Sequence, residues 1–68
     1  MRSVVTVNGK DVPSTDGETL SDILARCGFT GGRIAVEVNG DIIPKKNHET
    51  FRTSKDDRIE VVGLVGGG

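Results

Sequence analysis

The last three residues of this 68-residue chain are the clearest candidates for chemistry. Gly66, Gly67 and Gly68 follow a β-branched segment without a spacer, and glycines add little to the packing of a fold. Three extended residues reach about 10 Å, and without side chains they fit a slot too narrow for other residues. This pattern predicts a flexible tail, residues 66–68, that threads the active site of a partner protein. A frayed chain end is the competing interpretation.

The carboxylate of Gly68 would have to be activated before it could react. A terminal carboxyl group is ionised at neutral pH and is then a poor electrophile. Conversion to an acyl-adenylate supplies a leaving group, and a sulfur donor that displaces AMP leaves a terminal thiocarboxylate. Because the sulfur would then sit on the main chain, no cysteine side chain is needed to carry it.

Cys27 and His48 are the other residues of reactive type. Cys27 is the only cysteine, which excludes an internal disulfide and a four-cysteine metal site. It ends an apolar helical stripe, and we interpret it as a small core residue. His48 lies in a polar segment without a second ligand type nearby, so we expect a surface position or a loop-ordering role. We predict no metal site and no catalytic side chain.

Composition excludes several classes of function. Nine basic and ten acidic residues give a net charge of −1, and no aromatic residues are interleaved with basic ones, which disfavours nucleic-acid binding. No apolar run approaches the ~20 residues of a membrane span, and the opening residues do not resemble a signal peptide, so we expect a cytoplasmic protein. The small size favours a carrier, a modifier or a binding module over an enzyme.

Turn and cap signals predict a hairpin, a helix, a second hairpin and a final strand. Asn-Gly pairs at 8–9 and 39–40 favour type I′ turns, within hairpins that cover residues 3–13 and 33–44. Thr19 with Asp22 predicts a helix start, and Gly28 predicts its end, with Phe29 folded back on the last turn. The stripe on this helix has helical spacing: Leu20, Ile23, Leu24 and Cys27.

The final strand is predicted over residues 58–65, and its two faces differ in role. Ile59 and Val61 would face the helix, whereas Val62 and Leu64 would face away from it. Two apolar residues beside a reactive tail suggest a surface for partner docking, because apolar anchors dominate interface energies. Two residues from the first strand of the second hairpin are expected at the rim of this surface: Ala35 and Glu37.

These elements predict an α+β fold of two layers, with one main helix packed on one face of a mixed sheet of about five strands. In the β-grasp arrangement the last strand is central and parallel to the first. We expect residues 1–68 to form a single domain.

The chain resembles the ThiS family, the sulfur carriers of thiamine thiazole biosynthesis. The resemblance covers the whole length and is carried mainly by Ile-Ala-Val-Glu-Val-Asn-Gly at 34–40, Ile-Ile-Pro-Lys at 42–45, Asp-Arg-Ile-Glu-Val-Val at 57–62 and Val-Gly-Gly-Gly at 65–68. It implies a ubiquitin-like β-grasp fold. Two positions depart from the family: His48, where Trp is frequent, and Asp56, where Gly is frequent.

The resemblance also implies partners. A ThiF-type adenylating enzyme would use ATP to activate Gly68, a sulfur-donating enzyme would supply the sulfur, and thiazole synthase would receive it. The chain itself would bind no cofactor. Three alternatives stay open: the small subunit of molybdopterin synthase, which often has prolines where Gly63-Leu64-Val65 stand here; a ubiquitin-like modifier joined through Gly68; and a non-covalent β-grasp binding module.

Overall fold

The computed structural model describes residues 2–29 and 33–63 of the chain. This part contains five strands and one α-helix. The strands are β1 (Arg2–Val7), β2 (Lys10–Thr15), β3 (Ile34–Val38), β4 (Asp41–Ile42) and β5 (Arg58–Gly63). The helix α1 spans Leu20–Arg26, and a 3₁₀ turn covers Lys45–Asn47.

The sheet has the strand order β2-β1-β5-β3-β4, so the last strand is central. β5 runs parallel to β1 and antiparallel to β3, whereas both hairpins are antiparallel. This confirms the mixed β-grasp sheet predicted from the sequence. Its consequence for function is that β5, the described strand nearest to the C-terminus, lies at the centre of the sheet.

Both Asn-Gly turns adopt the predicted conformation. The φ angles are 52° and 83° at Asn8 and Gly9, and 53° and 90° at Asn39 and Gly40, positive as a type I′ turn requires. β2 is longer than predicted, because its pairing with β1 continues to Thr15 opposite Arg2. Pro13 lies in this edge strand, where a missing N–H is tolerated.

The start and the end of α1 are those predicted. The Asp22 N–H donates to Thr19 Oγ1 at 3.1 Å and the Thr19 N–H donates to Asp22 Oδ2 at 3.4 Å, which completes a capping box. Gly28 has a φ of 90°, and the Phe29 N–H donates to the Leu24 carbonyl at 2.8 Å. Phe29 therefore folds back against the last turn.

The core lies between α1 and one face of the sheet. It consists of aliphatic side chains from the helix and from β1, β3 and β5: Val5, Val7, Leu20, Ile23, Leu24, Val36, Val38, Ile59 and Val61. Phe51, in the segment between β4 and β5, packs against this cluster and is half-buried.

Buried polar side chains hold the segment between β4 and β5 in place through hydrogen bonds. His48 is only 6% exposed, and its Nε2 lies 3.0 Å from the Ile43 carbonyl oxygen. Thr53 is 2% exposed, and its hydroxyl donates to the Glu18 carbonyl at 2.8 Å. Of the two roles predicted for His48, the loop-ordering role is confirmed, and the surface position is wrong because the residue is buried and bonded to the loop backbone.

Asp56, one of the two positions at which the chain departs from the family that it resembles, has a positive φ of 67°. Glycine adopts this left-handed conformation without a steric penalty, whereas aspartate tolerates it at some cost. The position therefore has a backbone requirement that explains why glycine would suit it.

Glu18 and Arg26 connect the start of α1 to its end. The Arg26 guanidinium donates to Glu18 Oε2 and, at 3.0 Å, to the Pro13 carbonyl, while the Thr15 N–H donates to Glu18 Oε1 at 3.1 Å. The hydrogen bond from Arg26 is the largest of the effects that lower the pKa of the Glu18 carboxyl below its ordinary value of 4.5.

Because of the ion pair between Glu18 and Arg26, we expect the free energy of unfolding to depend on pH. A carboxylate whose folded pKa is depressed contributes stability that is present above the ordinary pKa and is lost as pH falls through the folded pKa. Because Arg26 is exposed to solvent, we expect about 1 kcal/mol or less. Urea unfolding of wild type and Glu18→Gln should differ at neutral pH and converge in acid. An equal difference at both pH values would contradict this origin.

Candidate functional site

The site predicted from the sequence lies where β5 ends. The structure describes this strand to Gly63, so Leu64 and the three tail residues, Gly66, Gly67 and Gly68, lie outside the described residues. The predicted flexibility of the tail and the predicted orientation of Leu64 therefore stay predictions. What the structure describes is the surface that leads up to the tail.

In the part of the chain that the structure describes, no other element covers the sheet face opposite α1, which carries the predicted docking residues of β3 and β5. Val62 is 58% exposed, and it pairs across the sheet with Ala35. On the same face, the next pair of β5 and β3 is Glu60 with Glu37, and Ile42 of β4, 69% exposed, lies opposite Glu37. We call this surface the outer face; it comprises Ala35, Glu37, Ile42, Glu60 and Val62.

The structure thus brings together the three predicted docking residues that it describes, and it adds two that the sequence analysis did not single out. Glu60 alternates with Ile59 and Val61 along β5, so the strand period could have identified it. Ile42 follows the Asn-Gly turn as one of two adjacent isoleucines, and neighbouring strand residues point to opposite faces. The same period-2 rule therefore predicts that one of the two isoleucines is exposed.

The outer face has a like-charged centre. Glu37 and Glu60 are directly opposite in the antiparallel pair of β3 and β5, an arrangement that is destabilising for two carboxylates. Glu60 Oε2 lies 3.9 Å from Arg58 Nε, but both side chains are exposed, so solvent weakens that attraction. Within residues 2–29 and 33–63, Glu37 forms no ion pair. A cationic group from a partner would relieve this repulsion.

Cys27 lies on the opposite side of the sheet from the outer face. It is the C-cap residue of α1, it is half-buried and it packs against the core. Its neighbours in a shallow cleft are mainly apolar: Val7, Val12 and Phe29, together with Asn8 and Lys10. These surroundings agree with the structural interpretation of this residue.

We expect Cys27→Ala to lower the free energy of unfolding by about 1 kcal/mol, because it removes one partly buried sulfur. Sulfur loading of the terminal carboxylate should be unchanged. Chemical denaturation measures the first effect and intact-protein mass spectrometry the second. A folded variant that no longer accepts sulfur would contradict the structural role.

Among the described residues no three His, Cys, Asp or Glu side chains are grouped so that they could hold a metal ion. In the same part of the chain, no helix is long and apolar enough to cross a membrane.

The strand order, with one helix on one face of the sheet and exposed apolar residues on the other, defines a small β-grasp protein. Comparison with known proteins identifies the family. The sequence matches the ThiS family profile over residues 4–68, a range that includes the three terminal glycines. The chain belongs to the ThiS family.

Three relatives agree with this assignment. The chain is 36% identical to the sulfur carrier protein ThiS of Bacillus subtilis, over 96% of this chain and 100% of that protein. It is 33% identical to a thiazole synthase of Magnetococcus marinus, over 94% of this chain but 20% of that protein. The crystal structure of the thiamine biosynthesis protein ThiS from Geobacter metallireducens superposes with a TM-score of 0.75 at 26% identity, covering 96% and 99% of the two chains.

Proposed function

We propose that this protein is a sulfur carrier of thiamine biosynthesis whose reactive group is the carboxylate of Gly68. The observation that carries the proposal is the family match, which spans the β-grasp domain and its terminal glycines together. The relative from Bacillus subtilis, which is named a sulfur carrier protein, aligns over its entire length and so supports the same role. Residues 66–68 are the part of the chain that takes part in the chemistry.

The proposed reaction has two steps on a ThiF-type adenylating enzyme. A carboxylate oxygen of Gly68 attacks the α-phosphate of ATP, pyrophosphate leaves, and an acyl-adenylate forms. Sulfide (HS⁻) released by a sulfur-donating enzyme then attacks the carbonyl carbon, AMP departs as its bond to that carbon breaks, and loss of the sulfur-bound proton leaves the thiocarboxylate. Gly66 and Gly67 give the reacting carbon access to the partner's active site. ATP enters through the partner, and the carrier itself supplies no catalytic side chain and binds no cofactor.

The outer face is the proposed docking surface for this partner. Val62 supplies an exposed apolar contact next to the end of β5, and Ala35 extends that contact across the sheet. Glu37 and Glu60 supply negative charge beside it, which fits a partner surface that combines an apolar contact with an arginine or a lysine. Since the tail follows this surface directly, docking would deliver the Gly68 carboxylate to the adenylating site.

Thiazole synthase is the proposed acceptor of the sulfur. In the Magnetococcus marinus protein of that name, a segment similar to this chain makes up 20% of the length. A carrier-like segment and a synthase thus occur in one polypeptide there, where linkage raises their effective concentration. We propose that this carrier, acting in the cytoplasm, reaches the synthase by docking.

Mass spectrometry of the intact protein tests the function. After incubation with a ThiF-type enzyme, ATP and a sulfur donor, the mass should show that one terminal oxygen has been replaced by sulfur. Omission of ATP should prevent the change, and addition of thiazole synthase with its other substrates should reverse it. An unmodified mass under complete conditions would refute the proposal. Reversal only by the large subunit of molybdopterin synthase would assign the carrier to that other pathway.

A further inference from the structure

The side chain of Asn8 binds the end of β5, although the two segments are 53 residues apart in sequence. The Val61 N–H donates to Asn8 Oδ1 at 2.8 Å, and Asn8 Nδ2 donates to the Val61 carbonyl at 3.3 Å. In addition, the backbone N–H of Asn8 donates to the Ile59 carbonyl at 2.9 Å. One turn residue thus makes three hydrogen bonds to the strand that precedes the tail.

The hydrogen bonds of Asn8 lie at the point where the backbone pairing of β1 with β5 ends. The parallel register contains Thr6 with Arg58 and Val7 with Ile59, after which the chain turns away at Asn8. From Val61 to Gly63, β5 keeps β3 as its strand partner. A side-chain amide has the donor and the acceptor of a peptide group. Asn8 therefore replaces the next pair of ladder hydrogen bonds after β1 has ended.

The side chain of Asn39, in the second Asn-Gly turn, also forms hydrogen bonds near β5, at the opposite end of the strand. Asn39 Oδ1 accepts the Arg58 N–H at 2.9 Å, and Asn39 Nδ2 donates to Asp57 Oδ1 at 3.0 Å. The Asn39 N–H also donates to the Arg58 carbonyl at 2.8 Å. Both asparagines have the same turn conformation and three bonds to the region of β5. Only Asn8 acts at the end from which the tail continues.

We propose that Asn8 is a positioning residue for the carrier's chemistry: its amide holds in place the last described part of β5, from which the chain continues to Gly68. This inference rests on the proposed function. Five residues follow Gly63 in the sequence and can span at most about 17 Å, so a displacement of Gly63 shifts the region that Gly68 can reach. Reaction rates are sensitive to such displacements, because about 1 Å of misplacement can cost a hundredfold.

Asn8→Gly and Asn39→Gly form a matched pair for the test. Glycine accepts the positive φ of both turns, so each variant keeps its turn and loses only its side-chain bonds to β5. We expect similar losses in melting temperature for the two variants. Hydrogen exchange should accelerate at the Val61 amide in Asn8→Gly and at the Arg58 amide in Asn39→Gly.

The adenylation kinetics separate positioning from stability. With the purified adenylating enzyme and ATP, pyrophosphate release should show a kcat about tenfold lower for Asn8→Gly, with little change in the KM for the carrier. Asn39→Gly should retain the wild-type kcat. Asn8→Asp, which keeps the acceptor for the Val61 N–H, should recover part of the loss. Equal effects of the two glycine variants, or a normal kcat in Asn8→Gly, would overturn the inference. Absence of adenylation in the wild type would instead refute the proposed function.

Discussion

Removal of Gly68 should abolish adenylation and sulfur loading while leaving the domain folded. The deletion withdraws the terminal carboxylate by about 3.5 Å, which is more than a reacting geometry tolerates. Addition of one alanine after Gly68 should have the same effect, because the carboxylate is then displaced in the other direction. Intact-protein mass spectrometry after incubation with the adenylating enzyme, ATP and a sulfur donor measures both variants.

The melting temperature serves as the control for these two variants. Neither change alters any of the buried core residues, so both should unfold within about a degree of the wild type. If the shortened chain still accepted sulfur, or if sulfur were found on Cys27, the carboxylate of Gly68 would not be the reactive group.

Aspartate at Val61 and at Val62 should have opposite consequences, although the two valines are neighbours in β5. Val61 is 8% exposed and faces the core, whereas Val62 is 58% exposed on the outer face. A carboxylate buried without a partner costs several kcal/mol, a large part of the stability of a domain this small. Val61→Asp should therefore unfold the protein. Val62→Asp should remain folded and bind the adenylating enzyme about thirtyfold more weakly, the loss expected for a central apolar contact.

Circular dichroism distinguishes the folded from the unfolded variant, and calorimetric titration with the adenylating enzyme measures the affinity. Val62→Ala separates the two parts of the aspartate effect, since it removes the apolar contact without adding charge next to Glu60. If Val62→Asp bound as well as the wild type, the docking surface would lie elsewhere on the domain.

Local signals in the sequence were sufficient to predict the fold. Three kinds of signal each depend on a few adjacent residues, and all are confirmed. They are the two Asn-Gly turns, the Thr19–Asp22 capping box, and the alternation of buried Ile59 and Val61 with exposed neighbours. The end of β2 was missed because Thr15 belongs to the strand through its pairing with Arg2, which local turn propensity does not contain.

The candidate site was only partly predictable, for the same reason. Period-2 alternation placed Val62 on the outer face, but the direct opposition of Glu37 and Glu60 depends on the register between β3 and β5. The bonds from Asn8 to Val61 likewise join segments 53 residues apart, and the carbonyl of the buried His48 accepts the Ser21 N–H of α1 at 2.8 Å. Such contacts follow from the assembled sheet and not from a window of neighbouring residues.

The central position of β5 also has a consequence for the biosynthesis of the protein. Residues 58–63 are the last of the described strands to leave the ribosome, and until they arrive β1 and β3 each have an unpaired inner edge. The sheet can therefore close only late, through pairings between distant parts of the chain, which makes folding slower than it would be with local contacts. A chain that terminates before β5 should stay unfolded and be open to proteolysis. Truncated carriers would thus be removed before they could occupy the docking sites of the partner enzymes.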